Sequence, residues 1–394
     1  MSHMAEDRDA VERHLARSVL ALAVTTGTSF SKNGQQALRD GTGGTDGQAE
    51  PAGPQSPGTT ADLDAPVRAG SALTGRQCLK LFDAQLASRH LDLAARWLRS
   101  QGAGFYTIGS SGHEGNAAVA AALRPSDPAL LHYRSGAFYL VRAAQAMPPR
   151  DGIGDVLLGL AAAAEEPIAG GRHKVLGHPD LDIIPTTSTI ASHLPRALGL
   201  AFSLDRAARL GAAWRWPADA IVLASLGDAS VNHSTAVGAL NTAAYCAYQR
   251  LPLPLLIVCE DNGIGISVRT PPGWVAAATS GRPGIRYFHA DGSDLADVFD
   301  TTLAAAQWVR ERRSPAFLHL SVVRLGGHAG SDPEAAYREP GEVAAGLAGD
   351  PLIGTARLLT DRCRNAGERR SLTHRAAASV VSKTSARSDP SAWK

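Results

Sequence analysis

Three short runs rich in branched apolar residues, separated by stretches with helical spacing, constrain this chain more than any other feature. The runs are "AIVLASLGD" (220–228), "PLLIVCEDN" (254–262) and "AFLHLSVVRL" (316–325). Their lack of apolar/polar alternation is what strands buried on both faces require. Between the first two lies "STAVGALNTAAYCAYQR", and between the second and third "DLADVFDTTLAAAQWVRERR"; both read as helices. Strand, helix, strand, helix, strand in that order predicts parallel strands joined by right-handed crossovers. The fold class is therefore α/β, an open, mostly parallel sheet with helices on both faces.

Outside this body the composition changes. Residues 8–24 have the periodicity of one amphipathic helix. From Thr25 to about Arg68 the chain is Gly, Thr, Ser, Pro and Gln with few large apolar residues, too little to offset the entropy of ordering it. Regular patterning resumes near Thr74, where "CLKLFDAQLASRHLDLAARWLRSQG" predicts a helix stopping at Gly102. After Arg369 the chain is basic, Ser-rich and weakly periodic, a frayed tail or an end that does not belong to the domain before it. The expected division is thus an N-terminal helix and linker over 1–73, a globular domain over 74–368 and an irregular tail over 369–394. No internal repeat is evident.

A length of 394 residues allows one large or two ordinary domains, and a net charge of +2 gives no electrostatic reason to expect nucleic acid or an acidic membrane. No apolar run is long enough for a membrane span, and "SVLALAV" near the N-terminus is short and flanked by Glu6, Asp7, Asp9 and Glu12. A cytoplasmic protein is the expectation. Cys78, Cys246, Cys259 and Cys363 contain no CxxC pair and do not resemble a zinc site; Cys246 and Cys259 lie in apolar runs and read as buried free thiols in a reducing compartment.

Chemistry is expected at the strand ends, because open parallel sheets bind ligands outside the carboxyl ends of their strands. Asp228 ends one strand and "CEDNG" ends the next. An Asp carboxylate, an Asn amide oxygen and a backbone carbonyl make a reasonable Mg²⁺ site when phosphate oxygens complete the octahedron. Gly227 and Ala229 keep the turn small, and a helix start just beyond would offer N–H groups to phosphate. Taken singly, Gly-Asp and Asn-Gly are ordinary turns. Their placement after successive strands is what raises them above that.

The segment from Gly227 to Ser267 resembles the thiamine-diphosphate motif of the α subunit of 2-oxo acid dehydrogenase E1 components, of the pyruvate and branched-chain type. That motif runs from a Gly-Asp-Gly start to an Asn-Asn-Gly end followed by Ile-Ser; here the ends are "GDAS" and "EDNGIGIS". The resemblance extends over roughly residues 75–365 through "GFYTIGSSGHEGNAAVAAALRPSDPALLHYRSGAF", "TTSTIASHLPRALGLAFS", "DGSDLADVF" and "VVRLGGHAGSDPEAAYR". It implies the thiamin-diphosphate-binding fold. It also implies Mg²⁺ held by Asp228, Asn262 and the carbonyl of Ile264, with Gly227 and Ala229 beside the diphosphate.

By the same resemblance Tyr133 and Arg134 hold the diphosphate, Arg134 being the better candidate because a guanidinium binds phosphate bidentately. Ser188 and Ile190 fall where the family contacts the aminopyrimidine and thiazolium rings. His328 falls on the loop histidine that approaches the diphosphate and the reacting substrate. His173 is the second acid/base candidate, with His178 competing. The departures are Ala229 for the last Gly of the motif, and Glu260 where some relatives carry a phosphate-binding arginine. With Glu260 there, diphosphate charge falls to Arg134, His328, magnesium or Arg172. His233 replaces an acidic residue, a pattern closer to enzymes with fused α-like and β-like halves. Ala329 replaces a regulatory serine, so kinase control at that point is not expected.

The implied reaction is decarboxylation of a 2-oxo acid with acyl transfer to the lipoyl domain of an E2 partner. In the family the glutamate that activates the aminopyrimidine comes from a β-type subunit or domain, for which this chain leaves no room. It is therefore expected to be inactive alone, and to work in an α2β2-like assembly or as the N-terminal part of a fused enzyme. A transketolase-like enzyme and a non-catalytic remnant are the alternatives.

Overall fold

The computed structural model describes residues 62–172, 176–187 and 189–361, together with His14 and Ser18. The helix expected over 8–24, apart from those two helical positions, the linker up to residue 61 and the tail over 369–394 lie outside the described residues. Residues 62–73, assigned to the linker by composition, are packed: Val67 and Leu73 are buried in the core, and Arg68 pairs with Asp294 at 2.5 Å. Two apolar side chains and one long-range ion pair suffice to hold a segment that looks like linker.

The first helices are α1 (Gly75–Ser100) and α2 (Asn116–Ala122), followed by the short strand β1 (Ala129–Leu130), α3 (Gly136–Gln145), α4 (Gly152–Ala161) and α5 (His193–Arg209). Then come β2 (Val222–Gly227), α6 (Ser234–Tyr248), β3 (Leu255–Asp261) and the hairpin strands β4 (Ile264–Gly265) and β5 (Val268–Arg269). The last elements are α7 (Trp274–Thr279), β6 (Arg286–Asp291), α8 (Leu295–Arg312), β7 (Ala316–Ser321), α9 (Pro340–Ala348) and α10 (Pro351–Asp361). Helix α1 starts where the sequence changes character. Thr74 accepts a hydrogen bond from the Gln77 N–H and the Gln77 side chain answers to the Thr74 N–H, a capping box.

The main sheet has the order β1-β2-β3-β7-β6, every pair parallel. Side chains alternate across a strand, so each strand feeds two cores. Leu223, Leu256, Val258, Leu318 and Leu320 face α1, α2, α3, α8 and α10, whereas Val222, Ala224, Leu226, Ile257 and Phe317 face α5, α6 and α7. That is the expected open α/β sheet, covered on both faces. Strand β6 was not visible in the sequence because it is an edge strand in which only Ala290 is buried. Cys246 and Cys259 are buried free thiols, as expected. Among the described residues no helix is long and apolar enough to cross a membrane.

One buried ion cluster ties the start of the chain body to its end. Arg89, on α1, donates from Nε to Glu114 at 2.6 Å and from both terminal nitrogens to Asp350 at 3.0 Å, with all three side chains out of water. Removing one member of such a cluster leaves uncompensated buried charge. Arg89→Met should lower the unfolding free energy by about 3–5 kcal/mol, measured by urea unfolding. A loss below ~1 kcal/mol would show that the carboxylates find other partners.

Candidate functional site

The carboxyl ends of β1, β2, β3 and β7 carry the polar residues that the sequence singles out. Asp228 follows directly on β2, buried, and its carboxylate accepts a hydrogen bond from the Thr270 hydroxyl. Burial raises this carboxyl above its ordinary value, opposed by Thr270, and the neighbouring Asp261 raises it further. Asp261 itself is engaged by His319 at 2.9 Å and by the Gly263 N–H at 3.0 Å. Asp228 is thus a buried carboxylate whose charge the protein under-compensates.

Asn262 lies past the end of β3. Its Oδ1 accepts from the Ile264 N–H at 3.1 Å and its Nδ2 meets His113 Nε2 at 3.0 Å. Because Gly227 pairs with Glu260 in the sheet register, Asp228 and Asn262 extend from neighbouring strand ends, as expected. Glu260 is buried and bonded to His113 Nδ1 at 2.6 Å. Sequence spacing does not reveal that interaction.

Ala229 has an ordinary backbone angle, sitting in the 3₁₀ turn Asp228–Asn232. Helix α6 starts at Ser234, where the sequence places it, and the Thr235 N–H is already bonded to the His233 ring at 3.2 Å. The Ala229 methyl instead abuts the β4–β5 hairpin: a Cβ added at Gly265 would lie 2.4 Å from it. Gly227 shows no such crowding, since a Cβ there would reach only the His132 ring at 3.5 Å.

Arg134, buried, donates from Nη2 to the Nδ1 and the carbonyl of His328, both at 3.1 Å, and from Nη1 to the Gly109 carbonyl. A guanidinium only donates, so His328 Nδ1 must accept and the neutral ring carries its proton on Nε2. Burial, with Arg134 and Arg324 nearby, pushes the His328 pKa down to about 4. Tyr133 meets the His328 ring edge-on at 6.1 Å. The loop is braced by Asp332, which accepts from the His328 N–H and the Tyr337 hydroxyl, both at 2.6 Å; Arg324 in turn donates to that hydroxyl at 2.7 Å.

An open-mouthed cleft of about 530 Å³, solvent at the mouth included, adjoins these groups. Its walls include His132, Tyr133, Ile190, His193, Leu226 and Ser230. The His132 ring packs against Tyr133, centroids 3.9 Å apart with the planes tilted by 40°, and burial holds it well below the ordinary histidine range. Its Nδ1 is buried without a hydrogen-bond partner. His193 donates from Nε2 to the Ser225 carbonyl at 2.7 Å.

Of the sequence candidates, the sheet end gathers Tyr133, Arg134, Ile190, Gly227, Asp228, Ala229, Asn262, Ile264 and His328. His173 and Ser188 lie outside the described residues. His178 caps a 3₁₀ turn by accepting from the Asp180 N–H at 3.1 Å, and Arg172 turns onto the Ala169 carbonyl at 3.2 Å. Sequence reasoning missed His113, His132, His193, Thr270 and Arg324. His113, His193, Thr270 and Arg324 act through partners distant in the chain, and only the local neighbourhood of His132, beside Tyr133, offered any signal. Among the described residues no group of three His, Cys, Asp or Glu could hold a metal; any cation here would use one carboxylate with amide and carbonyl oxygens.

Two outcomes follow from this packing. Gly265→Ala should destabilise the fold by about 1–3 kcal/mol through overpacking, and Ala229→Gly in the same chain should recover most of it, read by urea unfolding; no recovery would mean the methyls do not meet. The folded chain keeps His328 neutral where the unfolded chain protonates at its ordinary 6.5, so stability falls as pH drops from 6.5 towards about 4. His328→Asn should therefore lose less unfolding free energy over that interval than the unmodified chain. An identical pH dependence would overturn the burial argument.

A sequence-family profile described as Dehydrogenase E1 component matches residues 83–388. The chain is 26% identical over 242 residues to 2-oxoisovalerate dehydrogenase subunit alpha 2, mitochondrial, of Arabidopsis thaliana, covering 61% of this chain and 47% of that protein. The corresponding subunit alpha of Caenorhabditis elegans is 24% identical over 291 residues, 72% of this chain and 62% of that protein. The pyruvate dehydrogenase E1 component subunit alpha of Rickettsia conorii is 33% identical over 139 residues, 34% of this chain and 41% of that protein. The chain thus spans about half the length of these relatives. With the family profile covering most of its length and the open parallel sheet in place, the chain belongs to the dehydrogenase E1 component family.

Proposed function

We propose that this chain is an α-type E1 subunit, or the α-like half of a fused enzyme, that binds thiamine diphosphate with Mg²⁺ and decarboxylates a 2-oxo acid of the pyruvate or branched-chain type. The observation that carries the proposal is the meeting at one sheet end of Asp228, Asn262 and the Arg134–His328 pair. The donor set suits the cofactor. Magnesium takes oxygen ligands and usually needs only one or two carboxylates when phosphate completes its shell. Asp228 would supply the carboxylate, Asn262 its amide oxygen and Ile264 its carbonyl. A cation beside Asp228 would also offset the burial that raises its pKa.

When bound, thiamine diphosphate supplies the nucleophilic carbon and the electron sink for decarboxylation. The chain's own part is binding, orientation and hydrogen bonding. Arg134 would meet the diphosphate with a fork already fixed by Gly109 and His328. His328, neutral with its proton on Nε2, would donate a hydrogen bond to a negative oxygen rather than act as a strong acid. The unpartnered His132 Nδ1 and the apolar wall at Ile190 and Leu226 would receive the ring portion. A β-type subunit or domain would complete the site in an α2β2-like assembly, and a lipoyl domain of E2 would accept the acyl group.

Calorimetric titration with thiamine diphosphate and Mg²⁺, with and without a β-type partner, should show binding that Asp228→Ala abolishes. Binding unchanged by that substitution would overturn the cofactor site. In the assembled enzyme His328→Ala should lower 2-oxo acid turnover by about 10²–10⁴-fold with its melting curve preserved, and full turnover would remove His328 from the reaction.

A further inference from the structure

The hydrogen bonds behind Asn262 form a chain whose polarity is fixed throughout. The Ile264 N–H can only donate, so the Asn262 atom it meets at 3.1 Å is Oδ1. Asn262 Nδ2 therefore faces His113 Nε2 at 3.0 Å, and an amide nitrogen can only donate. His113 Nε2 must then be an acceptor and the ring's proton must sit on Nδ1, where it is donated to Glu260 Oε2 at 2.6 Å. An imidazolium would set two donors against each other at Asn262. The ring is therefore neutral by geometry.

This chain is also rigidly held. His113 and Glu260 are both out of water. The turn carrying His113 is anchored on one side by Glu114, which accepts from the Gly112 N–H at 2.7 Å and is itself clamped by Arg89. On the other side Asn116 donates to the Arg134 carbonyl at 3.2 Å and approaches Glu260 at 3.4 Å. At Gly112, with φ +94°, an added Cβ would lie 2.2 Å from the Val323 carbonyl, so the turn has one way to pass the end of β7. A buried pair such as His113–Glu260 contributes little to stability for its own sake. What it does do is leave Asn262 a single amide orientation.

Resting on the magnesium site assigned to Asp228 and Asn262, we propose that His113, held by Glu260, is a positioning residue that fixes the Asn262 amide so that Oδ1 presents its second lone pair to the cation. An amide oxygen has two lone pairs, and Ile264 uses one. Were the amide to flip, its NH₂ group would face the cation and the site would lose a ligand. Partners of this kind, one step behind the ligands, typically govern 10–100-fold in metal affinity.

The test uses the full chain with thiamine diphosphate and Mn²⁺ as the spectroscopic probe, free Mn²⁺ being followed by electron paramagnetic resonance. His113→Gln retains one acceptor and one donor on a planar group and should bind Mn²⁺ within about threefold of the unmodified chain. The double variant His113→Leu/Glu260→Gln removes the acceptor without leaving a buried charge, and should bind about 10–100-fold more weakly with its melting curve preserved. Nitrogen-15 resonance of the His113 ring, assigned by its loss in His113→Gln, should report the neutral form protonated on Nδ1; this readout decides the matter if the double variant fails to fold. Equal Mn²⁺ binding in all three proteins, His113→Gln as weak as the double variant, or a ring protonated on Nε2 would each overturn the positioning role while leaving the magnesium site standing. Absence of Mn²⁺ binding in the unmodified chain would overturn the magnesium site and the positioning role together.

Discussion

Arg89 is wholly buried and shared between Glu114 and Asp350, and the site depends on that arrangement. A guanidinium with carboxylates on two sides holds α1, the turn before α2 and the start of α10 together. Glu114 also receives the Gly112 N–H, so the same charge fixes the backbone of the turn that delivers His113 to Asn262. The contribution is geometric more than energetic. Desolvating three charged groups costs about as much as their attraction returns, but any other arrangement of these segments leaves a charge buried alone.

The parallel sheet accounts for the rest. All its strands end on the same side, so the residues just past β1, β2, β3 and β7 are brought together whatever their separation in the chain. Strand interiors are mostly apolar on both faces, and their few polar residues, such as Ser225 and His319, lie towards the carboxyl ends. Polar side chains collect at the exits, and there they satisfy one another: Arg134 with His328, Asp261 with His319, Glu260 with His113, Asp228 with Thr270. Among the incompletely met groups are the Asp228 carboxylate with its raised pKa and the unpartnered His132 Nδ1. Both lie by the cleft where a charged, ring-bearing ligand is proposed.

Much of this was legible in the sequence, for identifiable reasons. The buried strands β2, β3 and β7 carry mainly apolar runs because both faces are covered, and α1, α6 and α8 carry the spacing that one covered face requires. Edge strand β6 buries only Ala290 and left no such mark. Residues 62–73 have a linker-like composition, yet Val67, Leu73 and the Arg68–Asp294 pair hold them to the core, a result that depends on partners hundreds of residues away. Helix α6 begins at Ser234, where the sequence places it, but the 3₁₀ turn over Asp228–Asn232 that precedes it left no local mark.

The sequence by itself determined the class of fold and which residues stand at the strand ends, since periodicity and short turn signals are local properties. It also placed Asp228, Asn262, Arg134 and His328 in one family pattern. Only the tertiary structure decided how these groups are oriented and protonated. Glu260, a liability when read along the chain, turns inward to His113, and His328 keeps its proton on Nε2 because Arg134 occupies Nδ1. Hydrogen-bond polarity is set by the partner across the gap, and in a parallel sheet that partner comes from a distant part of the chain.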